Sequence, residues 1–226
     1  CSWEDEFKKI NYNPFKLYCP NKEFITSISC GNNFSMFTSK DGNLYSMGSN
    51  NKYGQLGHGD MKPRYSPTRI NFFSNNNIKI RQVSCGYNHV IVLSEERGVF
   101  SWGLGNNGQL GLGRCMEYNY SPKKIVFFKE KKEVVFQISA GYHSSYFLTE
   151  KNKVFICGTN SDETYKDIFV PKEMNVKVMY KDLIDEPCWI CRILNCWNRS
   201  ISVFYVVFLD CYFINKDDEK VHNVLS

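Results

Sequence analysis

Short apolar stretches alternate with polar turns along residues 25–158, and the pattern returns with a fixed period. One apolar stretch ends in a glycine three times, at Gly31, Gly86 and Gly141, and the two intervals between these glycines are equal. A second apolar stretch in each copy also ends in a glycine, at Gly48, Gly103 and Gly158, and these glycines are separated by the same interval. Between the two landmarks lies a β-prone run that ends in a polar turn, which predicts a β-hairpin. The sequence therefore contains three copies of a repeat of about 55 residues.

In the first two copies, the hairpin is followed by a glycine-rich loop. The loop is Gly54-Gln55-Leu56-Gly57-His58-Gly59 in the first copy and Gly108-Gln109-Leu110-Gly111-Leu112-Gly113 in the second. Three glycines in six residues predict backbone angles that other residues avoid. Each loop leads to a further strand, at 65–70 and 120–125. One unit is thus about four short strands, which predicts an all-β array whose units bury their faces on one another.

The repeats divide the chain into three parts. Residues 1–23 look like the remnant of a preceding repeat, residues 24–174 hold the three repeats, and residues 175–226 form a C-terminal segment of unknown structure. After Met174 no glycine stands at the next landmark. Either a different element begins there, or the reading frame or splice model is wrong. Because the sequence begins at Cys1 rather than Met, we expect a piece of a longer polypeptide or a trimmed product.

Composition narrows the class of protein. The 15% aromatic share favours strands. The net charge of +5 is mildly basic, without the positive stripe of a dedicated nucleic-acid binder. Ten cysteines in a chain of this length, without a secretory segment at its start, indicate an intracellular protein of the cytoplasm or nucleus. The longest apolar run, 201–209, is too short to span a membrane.

Several motifs resemble ligand-binding or catalytic sites, but each has a simpler structural explanation. Residues 103–108 spell a dinucleotide-binding fingerprint, but the glycines that follow exclude the helix which that site needs. Cys188, Cys191 and Cys196 have the spacing of half a zinc site, but the fourth ligand, Cys211, is poorly placed, so we interpret them as thiols. The four histidines are not arranged as a catalytic site. We interpret the lysine-rich stretch 123–133 as a solvent-exposed loop. We therefore predict no catalytic, cofactor-binding or metal-binding residues.

The motifs resemble the regulator of chromosome condensation repeat family over residues 24 to about 171. The second copy is closest to the family pattern, with 85–89, 101–103 and 108–111. The histidine position of the family is His89 in this copy but Phe34 and Ser144 in the others. The residues assigned to the structural repeat motif are Gly31, Gly48, Gly54, Gly57, Gly59, Gly86, His89, Trp102, Gly103, Gly108, Gln109, Gly111, Gly113, Gly141 and Gly158.

The resemblance implies a seven-bladed β-propeller, which needs many more residues than 226. We therefore expect a partial β-propeller that takes further blades from the same gene or another chain. The implied function is a non-enzymatic protein-interaction module, a scaffold or regulator. The alternative is guanine-nucleotide exchange on a Ran-type small GTPase at chromatin. Exchange in the family is tied to a hairpin wedge inserted between strands, and no copy here has such an insertion.

Overall fold

The computed structural model describes residues 17, 19–159 and 168–174. It also describes the backbone of four strands beyond them, 189–195, 202–207, 212–213 and 222–223. The three repeats form three four-stranded antiparallel sheets, each a simple meander. We call them blades 1 to 3. This architecture confirms the prediction of an all-β, partial β-propeller.

The elements follow one another in the same order in each blade. Blade 1 consists of β1 (Ile25–Gly31), β2 (Phe34–Ser39), β3 (Leu44–Gly48) and β4 (Arg64–Arg69). Blade 2 consists of β5 (Ile80–Cys85), β6 (His89–Ser94), β7 (Val99–Leu104) and β8 (Tyr118–Lys124). Blade 3 consists of β9 (Val135–Ala140), β10 (Ser144–Thr149), β11 (Val154–Gly158) and β12 (Ile168–Met174). A 3₁₀ turn (Pro20–Lys22) precedes blade 1, and the short helices α1 (Asn71–Asn75) and α2 (Phe127–Glu130) lie in the two connections between blades.

The pairing register repeats with the sequence period. Ile28 faces Phe37 in blade 1, and the equivalent pairs of the next two blades are Val83 with Val92 and Ile138 with Phe147. Alternate side chains of a strand point to opposite faces, so each blade has two faces that can pack against neighbouring blades. None of the described helices is long and apolar enough to cross a membrane.

The hydrophobic core lies between the blades rather than within them. One cluster joins Met36 and Phe73 of blade 1 and its connection to Phe100 and Trp102 of blade 2. The next cluster repeats the arrangement one blade further on, with Phe128 of α2 packing edge-on against Phe155, ring centroids 5.7 Å apart. Burying each such ring stabilises the fold by about 1.5–3 kcal/mol. Neighbouring blades therefore stabilise one another.

The first strands of adjacent blades lie side by side, and polar side chains join them. The Ser29 hydroxyl accepts a hydrogen bond from the Cys85 amide at 2.9 Å, and the Ser84 hydroxyl accepts one from the Ala140 amide at 2.8 Å. The side chain of Gln82 both donates to and accepts from the backbone of Ile138. These bonds give hydrogen-bond partners to backbone groups on the edge strands β5 and β9.

A further strand pair, β13 (Trp189–Asn195) and β14 (Ser202–Val207), follows the three blades. Strand β13 contacts β9 and β10, just as β9 contacts β5 and β6. It thus has the position, relative to blade 3, of the first strand of a fourth blade. Cys196 stands where the next landmark glycine would fall. Two short paired strands, β15 (Tyr212–Phe213) and β16 (His222–Asn223), complete the described chain.

Candidate interaction surface

The glycine loops predicted from the sequence lie between blades. The amide of Gly59, in the loop of blade 1, donates to the Tyr120 carbonyl of blade 2 at 3.0 Å. The amide of Gly113, in the loop of blade 2, donates to the Phe169 carbonyl of blade 3 at 2.9 Å. All six loop glycines have positive φ. Each loop therefore fastens its own blade to the outer strand of the next one.

The remaining glycines of the motif lie at strand ends. Gly31 ends β1, and Gly86 and Gly141 directly follow β5 and β9. A Cβ atom on Gly86 would lie 2.1 Å from the ring of His89, so only glycine leaves room for that ring. Gly48, Gly103 and Gly158 lie in the third strands, all with positive φ. These residues shape the blades and offer no exposed chemical group.

His89 makes a buried hydrogen bond between blades 2 and 3. Its Nε2 lies 2.9 Å from the Ser145 hydroxyl, which donates in turn to the Gln109 carbonyl at 2.8 Å. Because that hydroxyl proton is committed to the carbonyl, the imidazole N–H is the donor of the first bond. Burial, and the nearby His143, lower the pKa of His89 to about 3, so the ring is neutral at physiological pH. The sequence identified His89 but not its partner, which is 56 residues away.

A second Ser–His pair lies inside blade 1. Nε2 of His58 is 2.8 Å from the Ser46 hydroxyl, which donates to the Leu56 carbonyl at 2.9 Å. Burial, and the charge of Arg64, lower the pKa of His58 to about 4. Ser46 and Ser145 are both completely buried. A serine nucleophile must be reachable by its substrate, so both pairs are structural.

The turns between the first and second strands of the blades form a continuous ridge. The amide of Asn32 donates to the carbonyl of Tyr87 at 2.9 Å, and the amide of Tyr87 donates to the carbonyl of Tyr142 at 3.3 Å. The rings of Tyr87 and Tyr142 are stacked, with centroids 4.3 Å apart and planes at 21°. The ring of His143 stands edge-on to Tyr142 at 4.4 Å. We call Asn32, Tyr87, Tyr142 and His143 the tyrosine ridge, and all four side chains are half-buried.

Side chains from a neighbouring loop support the ridge. The Asn50 amide group donates to the Asn32 carbonyl at 3.1 Å and reaches the Asn88 side-chain oxygen at 3.4 Å. The pKa of Tyr87 is raised, chiefly by the electrostatic influence of Tyr142 and also by burial and a hydrogen bond to it. The Tyr87 hydroxyl therefore remains protonated at neutral pH. Sequence reasoning missed the ridge, although two tyrosines at one repeat position were a usable signal.

The opposite end of the blades is different in character. There, Arg97 pairs with Glu150 at 3.5 Å, Lys151 pairs with Glu133 at 3.4 Å, and Lys153 pairs with Glu173 at 3.1 Å. The turns that form the ridge, 31–34, 86–89 and 141–144, contain no Asp, Glu, Lys or Arg. Protein interfaces are enriched in tyrosine and depleted of charge at their centres. The ridge itself therefore has the chemistry of an interface, and the charged end has that of a solvated surface. A further ion pair, Arg64 with Asp60 at 2.8 Å, lies at the ridge end where the connection enters β4.

Among the residues whose side chains are described, no group of three His, Cys, Asp or Glu residues could hold a metal ion. Cys188, Cys191, Cys196 and Cys211, which have the spacing of half a zinc site, lie outside the described side chains.

Three successive four-stranded blades, evenly spaced along the chain and joined by glycine loops, define a β-propeller repeat protein. A family model described as "Regulator of chromosome condensation (RCC1) repeat" matches residues 41–93 and 98–148. A second model with the same description matches residues 25–55 and 80–109. The chain belongs to the regulator of chromosome condensation repeat family.

Relatives include two much longer proteins. The chain is 36% identical over 138 residues to mouse serine/threonine-protein kinase Nek9. This alignment covers 60% of this chain and 13% of the relative. It is 32% identical over 169 residues to human X-linked retinitis pigmentosa GTPase regulator. This alignment covers 73% of this chain and 16% of the relative. The chain therefore spans less than a fifth of the length of either.

A solved structure shows the same fold. Prp20p from Saccharomyces cerevisiae, described with its binding properties to Gsp1p and histones, superposes with a TM-score of 0.66 at 18% identity. The match covers 88% of this chain and 47% of Prp20p. The likeness at this identity concerns the fold alone.

Proposed function

We propose that this chain is a non-enzymatic protein-interaction module and that it binds its partner through the tyrosine ridge. The observation that carries the proposal is the stacked Tyr87–Tyr142 pair, held by backbone hydrogen bonds from blade to blade. Because the blades fix these rings before binding, a partner loses little additional conformational entropy in contacting them. Rigid tyrosines with polar hydroxyl ends are frequent anchors of interfaces.

The buried Ser–His pairs support the non-enzymatic part of the proposal. Ser46 and Ser145 donate to backbone carbonyls and are not exposed, so neither can reach a substrate.

A further part of the proposal is an intracellular location, in the cytoplasm or nucleus. The described cysteines are all free thiols, namely Cys19, Cys30, Cys85, Cys115 and Cys157, which suits a reducing compartment.

Regulation of a small GTPase, at chromatin or elsewhere, is the second candidate. The name of the human GTPase regulator and the Gsp1p and histone binding of Prp20p favour it. The connections within the described blades weigh against nucleotide exchange. Each turn of the ridge is a tight link between two strands, and no extra hairpin is inserted in any connection within residues 25–158. We therefore rank binding above exchange.

Affinity capture from a cell extract tests the proposed function. The full chain is compared with a Tyr87→Ser/Tyr142→Ser variant and with a Lys129→Ser/Lys131→Ser control at the charged end. Losing two anchoring rings weakens binding by about tenfold or more, whereas exposed lysines contribute little. We expect the ridge variant to lose specific partners that the control retains, while circular dichroism shows both folded. Identical capture by all three proteins would place the binding surface elsewhere.

A further inference from the structure

The tyrosine ridge continues outward across blade 2. Tyr53, in the connection between β3 and β4, lies close enough to Tyr87 for the two hydroxyls to interact electrostatically. The next residue, Gly54, packs against the outer strand, since a Cβ atom on it would lie 2.5 Å from Cα of Tyr120. Tyr120 stacks on Tyr118, with ring centroids 4.9 Å apart and planes at 28°. Three more tyrosines therefore extend the ridge to the edge of the blade.

These tyrosines lie at one end of blade 2. Tyr87 lies in the turn before β6, and Tyr118 begins β8, where it faces Leu104 at the end of β7. Adjacent strands are about 4.8 Å apart, so the path from β5 to β8 is about 14 Å long. All three blades contribute to it. We call Tyr53, Tyr87, Tyr118, Tyr120 and Tyr142 the tyrosine band, and all five side chains are half-buried.

The hydroxyls of the band are hydrogen-bond donors at neutral pH. The influence of Tyr142 raises the pKa of Tyr87. A hydrogen bond with Tyr118, together with burial and the charge of Glu117, raises the pKa of Tyr120 to about 12. A protonated tyrosine hydroxyl donates one hydrogen bond. A partner that offers acceptors above the rings therefore fits the band better than one that offers more donors.

Charge borders the band at two points. The Nζ atom of Lys52 lies 5.5 Å from the centre of the Tyr53 ring. Lys52 is exposed and makes no ion pair with any residue whose side chain is described. Glu117, beside Tyr118 at the outer end, is also exposed. A cation placed on the Tyr53 ring would be repelled by Lys52, whereas a carboxylate there would be attracted.

A proline-rich segment has the complementary chemistry. Proline carries a backbone carbonyl but no N–H, so a run of prolines presents acceptors and apolar rings. Such a run is extended before it binds, and it rises about 3.1 Å per residue, so five prolines match the length of the band. Surfaces lined by aromatic rings are known to bind segments of this kind. Building on the proposed function, we propose that the tyrosine band binds an extended proline-rich segment of a partner protein, with one carboxylate opposite Lys52.

Short peptides test this proposal on the full chain. The probe has four prolines on each side of a central glutamate, and its counterpart replaces the prolines by alternating glycine and serine. In an NMR titration, we expect the proline peptide to shift the amide signals of Tyr53, Gly54 and Tyr87. The glycine–serine peptide should bind about tenfold more weakly or worse, because it must be ordered on binding. Tyr53→Ser should weaken binding of the proline peptide by about tenfold, and the matched control Tyr65→Ser should not.

A charge reversal tests the place of the carboxylate without disturbing the fold, because Lys52 is exposed. Proline peptides with a central glutamate, glutamine or lysine are compared. We expect the natural chain to bind the glutamate peptide about twofold to fivefold more tightly than the glutamine peptide, and the lysine peptide most weakly. In Lys52→Glu the order of the glutamate and lysine peptides should reverse, while the glutamine peptide binds as before.

Three results would overturn the proposal. They are the absence of shifts at millimolar proline peptide, equal affinity for the glycine–serine peptide, and an unchanged order of the charged peptides in Lys52→Glu. Stacked rings beside a lysine are also suited to single-stranded nucleic acid. Tighter binding of oligothymidylate than of every peptide would identify that class of partner instead.

Affinity capture separates this failure from failure of the proposed function. If capture depends on Tyr87 and Tyr142 but the proline peptide does not bind, only the chemistry of the partner is wrong. If capture is the same without these two rings, the interaction surface itself is wrong.

Discussion

The indole N–H of Trp102 in blade 2 donates a 2.8 Å hydrogen bond to the main-chain carbonyl of Gln55 in blade 1. Both residues are completely buried. In blade 3 the same repeat position is Cys157, whose thiol reaches the carbonyl of Gln109 at 3.5 Å. A thiol is a weaker donor than an indole N–H. Of these two equivalent bonds the indole bond is the stronger, and at the second junction the Gln109 carbonyl also accepts a bond from the Ser145 hydroxyl at 2.8 Å.

Replacing the indole tests how much this bond contributes. In Trp102→Phe, the Gln55 carbonyl loses its buried donor and the smaller ring leaves space in the core. We expect the free energy of unfolding to fall by about 2–4 kcal/mol. Urea denaturation measures it, with Tyr118→Phe as the control because that tyrosine is half-exposed. Equal changes in both variants would show that the indole hydrogen bond contributes nothing.

Two glycines of one loop separate backbone strain from steric overlap. Gly108 and Gly113 have φ values of +83° and +81°, so alanine is strained at both. A Cβ at 108 would lie 2.5 Å from the Ile168 carbonyl oxygen, whereas a Cβ at 113 meets only Val170 at 3.9 Å. We expect Gly113→Ala to cost about 1 kcal/mol of stability and Gly108→Ala clearly more. Thermal denaturation in the opposite order would contradict this account of the loop.

Acid should destabilise the junction between blades 2 and 3. Burial holds the pKa of His89 at about 3 in the fold, below its ordinary 6.5. The unfolded chain therefore binds an extra proton between these values. Stability is full above pH 6.5 and falls as the pH drops towards 3. The depressed pKa of His58, about 4, acts in the same direction.

His89→Phe isolates the contribution of His89. Phe34 occupies the same repeat position in blade 1, so a phenyl ring suits the site. We expect the melting temperature of the natural chain to fall between pH 7 and pH 5 by more than that of the variant. A small decrease should remain in the variant because His58 is still present. Equal decreases in both proteins would exclude His89 as the source of the acid sensitivity.

Nucleotide exchange gives a direct test of the second candidate function. Without an inserted hairpin in the described connections, we expect the chain not to accelerate release of fluorescent GDP from a Ran-type GTPase. The measurement uses micromolar protein and spontaneous release as its baseline. An acceleration of tenfold or more would make exchange the leading function.

The spacing of the glycines was enough to predict the blades, since each landmark fixes where a strand ends. Strand β13 was missed because Cys196 stands at that landmark, and pairing between backbones does not depend on the glycine. The stacking of Tyr87 on Tyr142 was missed for another reason. Both residues were visible, but only the packing of blades side by side brings equivalent positions of successive repeats into contact. The partner of His89 escaped prediction in the same way.

The side-chain bonds between blades also bear on the order of assembly. Ser29 with Cys85, Gln82 with Ile138 and His89 with Ser145 each join residues 56 positions apart. A hairpin closes over a few residues, but each junction requires a far longer loop to close first, which slows its formation. During synthesis on the ribosome, a finished blade therefore waits with one apolar face uncovered until most of its successor has emerged.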